Sequence, residues 1–160
     1  RRQYNEILAR IATRYHGKVL DYQGDAQMLG FGLRYDEDDH EHPAEATAAA
    51  LEIVHTVSEL AERWKAPPEK VKVHVGVCTG SIALGHLGAV QKQDIAAIGD
   101  TTNTAARLMG AAMKQNVPVL VSKPTFELAD GLISGEELPP VELKGKSRKR
   151  CVAASQSREG

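Results

Sequence analysis

Asn103 and Arg107 stand four residues apart in the run Ile98-Gly-Asp-Thr-Thr-Asn-Thr-Ala-Ala-Arg-Leu108. On a helix that spacing sets an amide and a guanidinium on one face. Gly99-Asp100, just ahead of them, reads as a turn. The pair would then lie near a helix start, whose unpaired N–H groups favour an anion such as phosphate. Two other segments carry matching chemistry: Gly24-Asp25 inside a hairpin-like run, and Lys144-Gly145-Lys146 near the end of the chain. An acid, an Asn/Arg pair and a lysine pair are parts for metal-assisted chemistry on a triphosphate. On residue type alone each also has a plainer role. Asp25 suits any tight turn, Asn103 suits a helix cap, and the basic run from Lys144 to Arg150 suits a solvated surface.

These side chains need elements to position them. Residues 1–16 read as an amphipathic helix with Ile7, Leu8, Ile11 and Tyr15 on one stripe and Gly17 as its stop. Residues 19–32 read as a hairpin turning at Gly24-Asp25. A charged loop, 34–43, leads into a long helix over 44–64, on which Leu51, Val54, Val57 and Trp64 recur at helical spacing and which Pro67-Pro68 ends. Val71, Val73, Val75 and Val77 alternate with polar or small residues, a strand pattern, with a partner strand expected over 81–87. A connecting arm over 90–94, a short buried strand over 95–98, a helix over 100–114, a strand over 117–121, a short helix near 124–129 and a closing strand over 141–154 complete the order. Mixed strands and helices with hairpin returns give an α+β sandwich.

Bulk properties exclude several classes. The 160 residues fit one domain without internal repeats. A net charge of −1 supplies no field for nucleic acid or an anionic membrane, and 4% aromatics leave few stacking surfaces for single strands. No apolar run is long enough to span a bilayer, and no signal-peptide pattern opens the chain. Cys78 and Cys151 form no metal or disulfide pattern, in keeping with the reducing cytoplasm. The six histidines show no HxH or HExxH spacing, and no P-loop or dinucleotide fingerprint is present.

Five stretches, in order, resemble the class III nucleotide cyclase catalytic domain: the Gly24-Asp25 hairpin, Asp38-Asp39-His40 before an Ala-rich helix, the Gly-rich run from Val75 to Gly88, the Asn/Arg segment from Ile98 to Leu108, and Leu143-Lys-Gly-Lys146. Together they cover most of Arg1 to Val152. Singly each is weak; their order makes the resemblance specific.

The resemblance implies a ferredoxin-like βαββαβ core with extra C-terminal strands. It implies a lyase that converts a purine nucleoside triphosphate to its 3′,5′-cyclic monophosphate and pyrophosphate, in cyclic-nucleotide signalling. Asp25 would hold Mg²⁺ or Mn²⁺, Asn103 and Arg107 would serve the transition state, and Lys146, with Lys144 beside it, would bind the terminal phosphates. Asp21 and Ala96 fall at the base-reading positions. The acid at Asp21 leans toward the guanylate pattern, base rates lean toward adenylate, and ATP is the favoured expectation. Family sites form across a homodimer, so a homodimer is expected, with no nucleic-acid partner and with room outside these residues for a regulatory domain or membrane anchor. The family uses two aspartates and two metal ions. Its first aspartate belongs on a strand ahead of the helix that opens this chain, and no residue here corresponds to it. The expectation is a single catalytic domain, residues 1–160, lacking that strand. The competing expectation is a degenerate cyclase-like domain used for dimerisation or nucleotide sensing.

Overall fold

The computed structural model describes residues 2–33, 41–67, 71–82, 92–142 and 148–156. Helix α1, Arg2–Arg14, buries Leu8, Ile11 and Ala12 at helical spacing. It stops where His16 takes a left-handed φ of 68°; Gly17 is already the first residue of β1. Strands β1, Gly17–Gln23, and β2, Ala26–Phe31, form the expected hairpin. Gly24 opens its two-residue turn at φ 62°, a value glycine adopts without strain and hairpin turns favour.

Helix α2, His42–Arg63, opens with Pro43, whose missing N–H costs nothing in a first turn. Strand β3 is short, Val75–Val77, although the valine alternation begins at Val71. Helix α3 runs from Lys92 to Gln115. It is followed by β4, Val119–Ser122, and α4, Lys123–Leu128. The Ser122 hydroxyl accepts from the Thr125 N–H and caps α4. Strands β5, Ser134–Glu142, and β6, Arg148–Ser155, close the order.

Three sequence expectations change. Residues 95–98 are not a strand, and 92–94 are not an arm: both belong to α3. A run of four apolar residues cannot be assigned by period, and here it continues a helix. The expected single strand over 141–154 is the end of β5 and most of β6, with 143–147 between them outside the described residues. The strand expected over 81–87 lies mostly outside them too, and Ser81 and Ile82 are not in a strand.

Two sheets form among the described strands, β1-β2 and β3-β4-β6-β5. Pairing is antiparallel except between β3 and β4. Alternation along β4 divides the core. Val119 and Val121 pack with Ala44 and Ala50 of α2, while Leu120 packs with Leu108 and Ala112 of α3. Helices α2 and α3 therefore cover opposite faces of the four-stranded sheet. A third cluster joins Leu8 and Ile11 of α1 to Ile53 and Val57 of α2 and to Leu29 and Phe31 of β2. The run α1-β1-β2-α2-β3 follows the ferredoxin-like order from its first helix onward.

Candidate functional site

Asp25 completes the Gly24 turn and is exposed. It stands at the rim of a cavity of about 590 Å³ between β2 and β3. Tyr4 of α1 lines the same cavity, and its phenol is pushed up first by burial and then by the nearby Asp25 carboxylate. Tyr4 was not legible as a site neighbour; it extends the apolar stripe of α1 one turn before Leu8, which is a packing signal.

Asp21 is exposed on β1 immediately after a register irregularity between Val19 and Asp21. Irregularities of this kind re-aim side chains. Leu20 turns into the cavity, and Asp21 does not line it. One Asp21 carboxylate oxygen accepts from the Tyr22 backbone N–H at 2.8 Å, leaving the other to meet a donor.

Asn103 and Arg107 share one face of α3, as their spacing requires. Thr104, Leu108, Ala111 and Ala112 are buried, whereas Asn103 is exposed and Arg107 half-buried. The Gly99-Asp100 composition places the pair near a helix start. In the structure Gly99 and Asp100 lie inside α3, and the Thr102 hydroxyl donates back to the Gly99 carbonyl at 3.1 Å. Asn103 therefore sits three turns from Lys92, too deep for end-dipole attraction, which fades within the first turn. Any affinity of this face for phosphate must come from the guanidinium and the amide themselves.

Gly76 sets the height of that helix. A Cβ at Gly76 would fall inside 3.0 Å of the Ala105 carbonyl oxygen and the Met109 amide nitrogen. The backbones of β3 and α3 touch there because the residue has no side chain.

The described site residues do not share one cavity. Asp25 lines the space between β2 and β3, while Asn103 and Arg107 face away from it. Ala96 lies on α3 rather than on the expected strand. Lys144 and Lys146 lie outside the described residues. Cys78 is half-buried and its thiol is raised, chiefly by burial. No helix among the described residues is long and apolar enough to cross a membrane.

Comparison with known proteins decides the family. The model of the adenylate and guanylate cyclase catalytic domain matches residues 2–155. The chain belongs to that family. "Adenylate cyclase 2" of Rhizobium meliloti is 32% identical over 146 residues, covering 87% of this chain and 38% of that protein. "Adenylate cyclase 1" of the same organism is 24% identical over 145 residues, covering 91% of this chain and 22% of that protein. The chain thus spans about a fifth to two fifths of the length of these relatives. Among solved structures, the adenylyl cyclase CyaB from P. aeruginosa superposes with a TM-score of 0.70 at 17% identity, over 98% of this chain and 81% of that one. The guanylate cyclase domain of RhGC from Catenaria anguillulae, in complex with GTP, gives 0.63 at 18% identity, over 98% and 82%. At such identities these structures bear on the fold, and the fold is that of class III cyclase catalytic domains.

Proposed function

We propose that this cyclase-family chain is the catalytic part of a purine nucleotide cyclase, ATP being the favoured substrate, and that it works as a homodimer. The observation that carries the reading is the separation of its parts. Asp25 stands on a hairpin turn at one cavity, and the Asn103–Arg107 face of α3 looks elsewhere. One copy has two half-sites, and two copies could pair each half with its complement.

The reaction forms a bond between the ribose 3′-oxygen and the α-phosphorus and breaks the bond to the bridging oxygen of pyrophosphate. The 3′-hydroxyl proton leaves to solvent or a nearby base. Asn103 would orient the ribose by its amide. Arg107 would meet the charge that grows on the phosphoryl oxygens. Lys144 and Lys146 carry charge suited to the leaving phosphates.

Asp25 fits Mg²⁺ or Mn²⁺ in chemistry: an exposed carboxylate on a two-residue hairpin turn, offering hard oxygens. Among the described residues no group of three or more His, Cys, Asp or Glu converges, so Asp25 alone would offer a carboxylate to the ion there. The ion would supply charge neutralisation at the phosphates.

Shared sites have a quantitative signature. Asp25→Asn and Arg107→Ala homodimers should each be nearly inactive. Mixed at equal amounts they should recover about a quarter of wild-type turnover, because half the dimers are mixed and each holds one intact site. No recovery, with mixed dimers demonstrated by tag capture, would refute the shared site.

Base choice should run through Asp21, whose carboxylate accepts from an adenine amine or from the N1–H and N2 amine of guanine. Asp21→Lys reverses that polarity and should shift the ATP-to-GTP ratio of kcat/KM by about tenfold or more. An unchanged ratio would make Asp21 a bystander.

Ala96 favours a second reading, a domain that binds nucleotide or dimerises without turnover, since alanine offers no hydrogen bond to a base edge. Turnover of the wild-type protein with Mn²⁺ and either ATP or GTP separates the two readings.

A further inference from the structure

Three hydroxyls form a chain where β3 and β4 end. Thr125 of α4 is fully buried, and its Oγ1 lies 2.9 Å from Thr79 Oγ1 and 2.6 Å from Ser122 Oγ. Thr79 follows β3, while Ser122 ends β4 and caps α4. Parallel pairing of Val77 with Val121 brings the two strand ends side by side, so Cys78 falls beside Ser122. The Ser122 hydroxyl is a hydrogen-bonding neighbour of the Cys78 thiol. One direction uses every proton: Thr79 donates to Thr125, Thr125 to Ser122, and Ser122 to the Cys78 sulfur. The Ser122 oxygen still accepts the Thr125 backbone N–H at 3.4 Å. Packing does not require this chain at its outer end. Thr79 is exposed, yet its side chain is tied to a buried partner on another element.

The tied segment carries Gly80. A Cβ there would fall 2.5 Å from Thr101 Oγ1 and 3.3 Å from Thr101 Cγ2, so Gly80 rests directly on α3. Thr101 and Ala105 stand four residues apart on one helix face, and Ala105 is the residue whose carbonyl oxygen Gly76 approaches. Helix α3 is therefore seated at two points, Gly76 and Gly80. Arg107 lies within the first seat, between Ala105 and Met109, and Asn103 lies between the two seats. Gly76 is held in the β3–β4 ladder. Gly80 lies beyond the last ladder pair, and the Thr79 hydroxyl ties its segment to α4.

We propose that Thr79 and Thr125 are positioning residues for Asn103: their hydroxyl bond fixes the Gly80 segment, which seats α3 ahead of Ala105 and so sets where the Asn103 amide stands. The inference rests on the proposed role of Asn103 in orienting the ribose. Neither threonine touches substrate. The effect passes through geometry, where a displacement of about 1 Å can cost up to about a hundredfold in rate.

The test cuts the chain at either threonine without changing side-chain shape. Thr79→Val and Thr125→Val should each lower kcat with Mn²⁺ and ATP or GTP about ten- to a hundredfold, with the Michaelis constant within about twofold of the parent. Thr79→Ser and Thr125→Ser keep the hydroxyl and should restore most of the turnover. In an Asn103→Ala background either valine should cost less than about threefold more, because an absent amide cannot be misplaced. Valine variants with parental kcat overturn the proposal, and so does full multiplication of the two losses. If Thr125→Val does not fold, Thr79→Val decides alone, since its side chain is exposed.

Amide hydrogen exchange separates this proposal from the cyclase reading. In Thr79→Val the amides of Gly80, Thr101 and Thr102 should exchange at least about tenfold faster, while Leu120 and Val121 keep the parental rate. Unchanged exchange at Thr101 and Thr102 overturns the proposal whatever the activity. A wild-type protein without turnover refutes the cyclase reading and takes the catalytic role of the two threonines with it, and the exchange rates then report on the hydroxyl chain alone.

Discussion

Arg107→Ala should lower turnover roughly a hundred- to a thousandfold while changing the Michaelis constant little. The argument combines chemistry and position. Charge grows on the phosphoryl oxygens as the 3′-oxygen closes on the α-phosphorus, and a fixed guanidinium stabilises that state more than the ground state. Arg107 is half-buried on a helix whose sheet-facing positions are Thr104, Leu108, Ala111 and Ala112. Removing it takes little from the core, so the folded fraction should not change measurably. The helix end is too distant to replace its charge, because α3 begins at Lys92. Asn103→Ala should follow the same pattern with a smaller effect, an amide carrying no net charge. Steady-state kinetics with Mn²⁺ and ATP or GTP, beside a melting curve, provide the check. A raised Michaelis constant with wild-type turnover would mean that Arg107 binds ground-state phosphate and has no special part in the step.

Much of this arrangement was legible in the sequence because local and tertiary preferences agree. The stripe of α1, the glycine that opens the β1–β2 turn and the alanine-rich α2 each carry a period or a turn residue that packing then confirms. That Asn103 and Arg107 share one helix face followed from spacing alone, which holds wherever the helix begins. That beginning was hidden. Ile95 to Ile98 is short and apolar, and Gly99-Asp100 has the composition of a turn. Gly99 is tolerated inside α3 because the helix backbone is sustained on both sides.

Strand β5 was hidden for a different reason. Pro139 and Pro140 fall inside it, and proline ordinarily argues against a strand. β5 forms the edge of its sheet, where a missing N–H on the outer side costs nothing, and its register shifts between Leu138 and Val141. Its polar face is also uninformative in sequence: Glu137 looks like a loop acid, yet it pairs with Lys123 and Arg150, and their hydrogen bonds hold its carboxyl below the usual range. The contact between Gly76 and α3 gave no sequence signal at all, since a glycine within alternating valines reads as a strand residue of no special note.

That contact yields the largest expected effect on stability. Gly76→Ala should cost about 3 kcal/mol or more, a large part of the 5–15 kcal/mol that holds a typical domain together. The added methyl would fall inside 3.0 Å of the Ala105 oxygen and the Met109 nitrogen and 2.9 Å from the Leu108 carbonyl carbon. These are backbone atoms, so no rotamer change relieves the clash, and α3 has to lift from β3. Lifting it would pull Leu108 and Ala112 away from Leu120 and Cys151, with which they form one buried cluster. At this chain length the melting midpoint should fall by about 10 °C, and the variant should expose apolar surface to dyes. Gly99→Ala is the matched control. It lies in the same helix, its Cβ would meet nothing within 4 Å, and the change should stabilise the protein by roughly 0.5–1 kcal/mol. The two substitutions add the same methyl to glycines of one helix–strand unit, so opposite shifts isolate the close approach from any general effect of alanine. A Gly76→Ala protein that melts with its parent would show that α3 does not rest on β3 as described. The height of the face bearing Asn103 and Arg107 would then be set by other contacts.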